Sequence, residues 1–270
     1  MPGLRMMHEL INLPLEETSN IQNLRNKVEE NPKDNNLQID LGIALSNANC
    51  TYEAAIILRP LRSQWKSSDV EQDAKRALDA QSWWNKNWKD FVALKNTNQH
   101  KKALELLGTR HNLYWDLPPL LVHLADISLF ENNGELAQHL YQRVFVLSKQ
   151  GLPKMNMQAF EYISQAGLIE TLLRQGKTKE ALKQHSSLKP NQGNVMGHEI
   201  LGVRLLVANK KYDEAMKSIA HMLTTAQKKR SDYGKVIRID FIENAKELSV
   251  LRQRHDWLSM LDDPVSYLQK

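Results

Sequence analysis

The sequence predicts an all-α fold, a solenoid of about five to six antiparallel helical hairpins, and three observations support this prediction. Apolar residues recur at helical spacing, as at Leu168, Leu172 and Leu173. Short polar breaks separate the helices, whereas alternating strand patterns bounded by Asn-Gly turns are almost absent. An alanine follows each break by four to six residues, and these alanines are Ala54, Ala103, Ala137, Ala181 and Ala215.

The helices are expected in a fixed order along the chain. A first helix should cover 20–31, after Thr18 and Ser19, and should end at Asn31-Pro32. Five hairpins follow it, over 35–67, 84–117, 118–151, 162–193 and 196–228. Helix 233–249 with segment 250–261 would be a sixth, degenerate pair that closes the array.

The same pattern predicts the domain organisation. Residues 1–19 form an N-terminal extension, residues 20–262 form the solenoid, and residues 263–270 form a C-terminal tail. The sequence leaves open whether 69–83 and 152–161 extend helices or insert turns. One hairpin cannot bury both of its faces, so successive hairpins are expected to stack.

Two of the intervals between the five alanines are 34 residues long, the period of one helical-repeat family. Segments 172–182 (LLRQGKTKEAL) and 209–216 (NKKYDEAM) resemble tetratricopeptide repeats, and Leu41-Gly42 precedes Ala54 at the spacing of that family. The resemblance implies a right-handed solenoid whose first helices line a concave groove. Small residues at the helix crossings would let the two helices of a hairpin approach closely.

The resemblance also implies a set of partner-binding residues, at the groove-lining positions of each first helix. Transferred to this sequence, they are Asn47, Trp88, Lys95, Asp126, Phe130, Glu170, Arg174, Arg204 and Val207. The apolar members would anchor a protein or peptide segment, and the basic members would orient its acidic groups. One subset of this family forms a clamp for the C-termini of chaperones, with Lys and Asn at two groove positions. Such a clamp is not expected here, because this sequence has Ile39 and Ile43 at those positions.

Three tryptophans within six residues, Trp83, Trp84 and Trp88, have two interpretations. They could pack in the core, or they could form an aromatic binding surface. Trp84 and Trp88 share one helix face, and Trp88 has the repeat position that tends to face the groove. We therefore expect Trp88 to be the exposed member.

The sequence does not predict an enzyme, a cofactor or a metal site. There is no Gly-rich phosphate loop and no Gly-x-Ser-x-Gly elbow. The single cysteine, Cys50, excludes an intramolecular disulfide and a Cys-based zinc site, and we expect it to be inert. The nine histidines are scattered without the paired spacing of a zinc protease.

Charge is uneven, with a net −3 over residues 1–135 and +8 over residues 136–270. The most basic stretch contains Lys228, Lys229, Arg230, Lys235 and Arg238. This stretch could be a solvated turn, a surface for an acidic protein or, least favoured, a nucleic-acid site. No apolar run approaches the length that spans a bilayer, and a secretory signal is not evident, so we expect a cytoplasmic protein.

Two classes of function remain as hypotheses. The first is a non-catalytic interaction module, meaning an adaptor, an assembly factor or a chaperone-like protein that holds a partner segment in its groove. The alternative is a self-assembling structural component. In that case the N-terminal segment, which is apolar at Leu10, Ile11, Leu13 and Leu15, would dock in the groove of the next chain.

Overall fold

A computed structural model describes residues 9–65, 67–152, 155–190, 193–229, 241–242 and 245–269, without the side chains of Ser68 and of residues 227–229. In these residues every regular element is helical, and the β-type pairing is an isolated bridge between Cys50 and Tyr114. The all-α prediction is therefore confirmed. Backbone contacts divide the chain into two compact units, Met1–Gly167 (unit 1) and Leu168–Lys270 (unit 2).

The helices are numbered here in chain order. Unit 1 contains α1 (Ser19–Glu30), α2 (Asn35–Asn47), α3 (Thr51–Leu58), α4 (Ser68–Asn96), α5 (His100–Leu107), α6 (Pro118–Phe130) and α7 (Gly134–Gln150). Helix α8 (Met157–Arg174) contains the division point. Unit 2 continues with α9 (Thr178–Ser187), α10 (Val195–Ala208), α11 (Tyr212–Lys229), α12 (Ser249–Arg252), α13 (Trp257–Asp262) and α14 (Pro264–Leu268). Short 3₁₀ segments cover Arg59–Gln64, Gly108–Leu113 and Lys246–Leu248.

Five of the turns between consecutive helices share one backbone geometry. Each has a left-handed residue with φ between 56° and 75°, and these residues are Asn49, Asn98, Asn132, Gly176 and Lys210. The next amide donates to a carbonyl five residues earlier, as from Cys50 to Leu45 (2.9 Å) and from Lys211 to Leu206 (2.9 Å). This is the Schellman arrangement that ends a helix. The five predicted breaks are therefore turns of one kind, and each left-handed residue lies five positions before one of the alanines.

The small residues predicted at the helix crossings are enclosed by their neighbours. All five alanines have 0% of their surface exposed. On α2, a Cβ added to Gly42 would lie 2.6 Å from Leu58 Cγ on α3. A larger side chain at residue 42 would force this hairpin apart, which is the role that the sequence predicts for it.

The second hairpin begins earlier than the predicted residue 84, because α4 is its first helix. This helix runs without a break from Ser68, so the segment 69–83 extends the helix. Ser67 caps it, since its Oγ accepts a hydrogen bond from Val70 N at 3.3 Å. Ala74 and Ala77, one turn apart on α4, are fully buried, so the added turns pack against the core.

Two other predicted helix starts shift by a few residues. Helix α8 begins at Met157, whereas residue 162 was predicted. The first helix begins at Ser19, because Thr18 is the capping residue and its Oγ1 accepts from Ile21 N at 3.4 Å.

The C-terminal region is made of shorter helices than the sequence predicts. Most of the predicted helix 233–249 falls on 230–240 and 243–244, which lie outside the described residues. Segment 250–261 holds the short helices α12 and α13 instead of one longer helix. The predicted tail contains α14, which Asp263 caps by accepting from Ser266 N at 3.0 Å, and α14 packs against α11.

Each unit has its own apolar core. In unit 1, helices α1–α4 bury a cluster that includes Leu45 and Leu58, and both side chains are fully enclosed. In unit 2, Val203 on α10 and Met216 on α11 share a cluster with Trp257 on α13. The C-terminal helices therefore complete the core of unit 2.

Candidate functional site

The predicted groove residues of unit 1 meet across α4 and α6. The Trp88 ring lies 5.3 Å from the His123 ring. One to two turns further along, Lys95 Nζ lies 2.9 Å from Asp126 Oδ2. Both contacts therefore join α4 to α6, and they follow in the same order along the two helices. The structure thus brings Trp88, Lys95 and Asp126 onto one face, here called the α4–α6 face.

The tryptophan cluster divides between core and surface. Trp84 is 8% exposed and contacts Tyr114, with ring centroids 5.3 Å apart. Trp88 is half-buried and stacks on Phe91, with centroids 6.1 Å apart and an interplanar angle of 17°. Trp83 is half-buried as well, so Trp88 is not the single exposed member that the sequence predicted; Trp84 contacts Trp88 from the core, with centroids 4.5 Å apart.

Phe130 ends α6 and is the exposed aromatic side chain of this face. Its side chain is 57% exposed, one turn beyond Asp126. The ring contacts the buried His100 edge-on, with centroids 4.4 Å apart. This contact fixes the orientation of Phe130 while leaving most of the ring accessible.

The charged residues of the α4–α6 face are satisfied within the chain. Asp126 accepts from Lys95 through Oδ2 and from the Tyr141 hydroxyl through Oδ1 at 2.7 Å. Beside them, burial and then the charge of Lys95 lower the pKa of His123. His123 is therefore a neutral ring near pH 7, and the Lys95–Asp126 pair carries no net charge.

The predicted groove residues of unit 2 form an ion-pair chain. Glu170 on α8 accepts from Arg204 on α10 at 2.6 and 3.0 Å. It also accepts from Arg174, one turn further along α8, at 2.9 Å. Arg204 pairs in addition with Glu247. These basic residues therefore meet acidic groups of their own unit, whereas the sequence assigned them to an acidic partner.

Repeat position explains which of these residues meet. Asp126, Glu170 and Arg204 each lie eleven residues before one of the recurring alanines. Glu170 and Arg204 belong to consecutive first helices and contact each other directly. Residues at one repeat position on neighbouring first helices are therefore adjacent in unit 2.

Two predicted groove residues lie elsewhere. Val207 is 8% exposed and belongs to the core cluster of unit 2 with Trp257, so it is not available as a groove anchor. Asn47 is exposed at the end of α2. In the basic stretch, Lys228 and Lys229 end α11, and Arg230, Lys235 and Arg238 lie outside the described residues.

Unit 2 contains a cavity of about 450 Å³ that the sequence did not predict. It lies among α9, α10 and α11, and it includes His185 and His198, whose rings stack 4.0 Å apart. His185 Nε2 donates to the His198 carbonyl at 2.9 Å, and burial lowers the pKa of both rings. Gly202 is the sequence feature that could have pointed to this cavity, since its lack of a side chain leaves space for His185 at the crossing of α9 and α10.

The remaining polar groups in the described part of the chain form no metal centre of three or more ligands. No cluster of three or more His, Cys, Asp or Glu side chains there could hold a metal ion. Cys50 is 3% exposed, and burial raises the pKa of its thiol, as expected for an inert cysteine. Among the described helices, none has the length and apolarity needed to cross a membrane.

Comparisons with known proteins identify no relative. Neither a protein-family model nor a curated protein matches the chain, and no solved structure matches its fold. Its class therefore follows from its own geometry: in the described residues it is an all-α protein with repeated helical turns and an exposed aromatic residue beside contacts between α4 and α6.

Proposed function

We propose that the chain is a non-catalytic protein-interaction module, an adaptor, assembly factor or chaperone-like protein, with a tetratricopeptide-like solenoid topology. Support for this topology comes from the five turns of one geometry and from the buried alanine that follows each of them. Contacts between consecutive first helices add to it: Lys95 with Asp126 in unit 1, and Glu170 with Arg204 in unit 2. Stacked hairpins place their first helices side by side in this way.

The α4–α6 face is the proposed binding surface, and the observation that carries the proposal is the 57% exposure of Phe130. Burying an exposed apolar side chain of this size contributes about 1.5–3 kcal/mol, so covering the part of Phe130 that is still exposed would contribute about half of that. The adjacent ion pair is already formed, so a partner does not have to supply an acidic group for Lys95. We therefore assign recognition mainly to an apolar side chain of the partner, which would pack on the exposed ring of Phe130 beside the Lys95–Asp126 pair.

A matched pair of variants tests this surface. Phe130→Ser removes the exposed ring, and Leu258→Ser removes an apolar side chain that is 71% exposed on α13 in unit 2. Proteins captured from the native lysate by wild-type protein would be quantified against both variants. We expect one partner to be lost with Phe130→Ser, by tenfold or more, and retained with Leu258→Ser.

A photo-crosslinking residue at position 130 would then give the contact on the partner. Retention of every captured protein by Phe130→Ser, with its helical circular dichroism unchanged, would remove the α4–α6 face from consideration. Equal losses with both variants would indicate nonspecific apolar adsorption and would also contradict the proposal.

A further inference from the structure

The segment 9–17, here called the N-terminal arm, is held on a surface distinct from the α4–α6 face. Its first described turn buries Leu10 completely. The arm then runs past Trp115 and the helix α7, whose residues His139 and Arg143 face it. We call Trp115, His139 and Arg143 together the arm site.

The arm site binds the backbone of the arm through three consecutive carbonyls. Trp115 Nε1 donates to the Pro14 carbonyl at 2.8 Å, and His139 Nε2 donates to the Leu13 carbonyl at 3.2 Å. The guanidinium of Arg143 donates to the Leu15 carbonyl. The arm is helical over 9–11 and bends at Leu13, Leu15 and Glu16, so these contacts recognise this bent backbone and not particular side chains.

The three donors are fixed by contacts with one another. The rings of Trp115 and His139 stack with centroids 5.5 Å apart, and the Arg143 guanidinium lies 5.6 Å from the Trp115 ring centroid. Arg143 is only 2% exposed, and its Nε donates to the Trp115 carbonyl at 3.0 Å. Because these contacts do not involve the arm, the donors are organised independently of it.

Charge complements these backbone contacts. Residues 9–17 contain Glu9, Glu16 and Glu17 and no basic residue. Two of these carboxylates have partners: His111 Nε2 lies 3.1 Å from Glu9, and Arg25, which also pairs with Glu53, lies 2.6 Å from Glu17. An acidic segment in place of the arm would keep both contacts.

We propose that the arm site is a peptide-binding site, that the arm is its internal and displaceable occupant, and that its external ligand is an acidic, leucine-containing segment of a partner protein that adopts the bent backbone of the arm. The arm supplies the template for this ligand: one buried leucine, three accepting carbonyls and flanking carboxylates. A tethered arm competes at an effective concentration on the order of millimolar, so the partner must outcompete it. This proposal does not depend on the α4–α6 face.

The test uses the full chain and a fluorescent peptide that copies residues 9–18. Leu10→Asp should loosen the arm because a carboxylate replaces a fully buried side chain, whereas the control Glu16→Gln alters an exposed residue of the same arm. Fluorescence anisotropy would give the peptide affinity of each protein. We expect the Leu10→Asp variant to bind the peptide at least about tenfold more tightly than wild type or Glu16→Gln, since it lacks the internal competitor.

Two further comparisons test the contacts of the arm site. His139→Ala in the Leu10→Asp background removes the donor to the Leu13 carbonyl and should weaken peptide binding about three- to tenfold. A peptide with lysine in place of Glu9 and Glu17, the two glutamates that have partners, should bind at least about tenfold more weakly. Hydrogen exchange of the amides in 9–17 would report release of the arm. If Leu10→Asp does not fold, Leu10→Ala serves in the same comparison.

Three results would overturn the proposal. One is equal peptide affinity for wild type and a folded Leu10 variant, and another is no binding to a folded variant whose arm has been released. The third is a wild-type dimer in sedimentation that dissociates when Leu10 is replaced. The occupant would then be the arm of a second copy, as the self-assembly hypothesis requires, and not a partner protein.

Discussion

Replacing Gly42 with alanine tests the close helix crossing on which the hairpin between α2 and α3 depends. An ideal Cβ at this residue would lie 2.6 Å from Leu58 Cγ and 2.7 Å from Leu58 Cδ2. Both distances are far below van der Waals contact. Leu58 has 0% of its surface exposed, so it cannot rotate into solvent to make room. The two helices must therefore move apart or the leucine must adopt a strained rotamer.

Two opposing effects set the magnitude. Alanine in a helix interior is favoured over glycine by about 0.5–1 kcal/mol. Adding a methyl group to a filled core costs about 1–3 kcal/mol. Because Leu58 is fully enclosed, we expect the upper half of that cost. The free energy of unfolding should therefore fall by about 1–2.5 kcal/mol in Gly42→Ala.

Gly197 on α10 provides a control in which only the helix propensity changes. No described atom lies within 4 Å of a Cβ added there. Gly197→Ala should raise the free energy of unfolding by up to about 1 kcal/mol. Urea unfolding followed by far-UV circular dichroism measures both variants. If Gly42→Ala proved as stable as wild type while Gly197→Ala gained stability, the crossing would not be tight and the reasoning would be refuted.

Two further predictions concern buried charge and backbone strain. Burial raises the pKa of Asp116 to about 7, against 3.8 for the ordinary carboxyl group. The unfolded chain then binds fewer protons than the folded chain between these pH values, so stability should fall as pH rises from about 4 to about 7, by at most about 4 kcal/mol. Urea titrations at several pH values should show this dependence in wild type and not in Asp116→Asn. Lys210 and Gly176 both have positive φ, at 61° and 75°. Thermal melts should therefore show Lys210→Gly stabilised and Gly176→Ala destabilised, each by about 1 kcal/mol, and opposite shifts would contradict the assigned turns.

The sequence was sufficient for features that depend on near neighbours in the chain. Helical periodicity predicted the all-α fold, and the polar breaks predicted the five turns. The Schellman turn at Asn132, for example, is closed by hydrogen bonds that span only a few residues. The length of α4 was not predictable in this way, because Ala74 and Ala77 became helix-core residues only through packing against α2 and α3.

The site was predicted in part. Repeat position named Lys95, Asp126, Glu170 and Arg204 as residues of one surface, and the structure places them at helix–helix contacts. Repeat position in the sequence could not show that these charges pair with one another, since the partners lie 31 and 34 residues apart. Repeat position also assigned Val207 to the groove. In the structure Val207 belongs to one buried cluster with Trp257 of α13.

The sequence alone determined the kind of elements, the positions of their turns and the small residues at the helix crossings. These features follow from hydrogen bonds and side-chain spacing within one or two helical turns. Tertiary structure alone decided the hydrogen bond from Trp115 to Pro14 and the docking of the arm, which join residues about a hundred positions apart. No local pattern encodes such contacts, because they exist only after the helices between the two residues have packed.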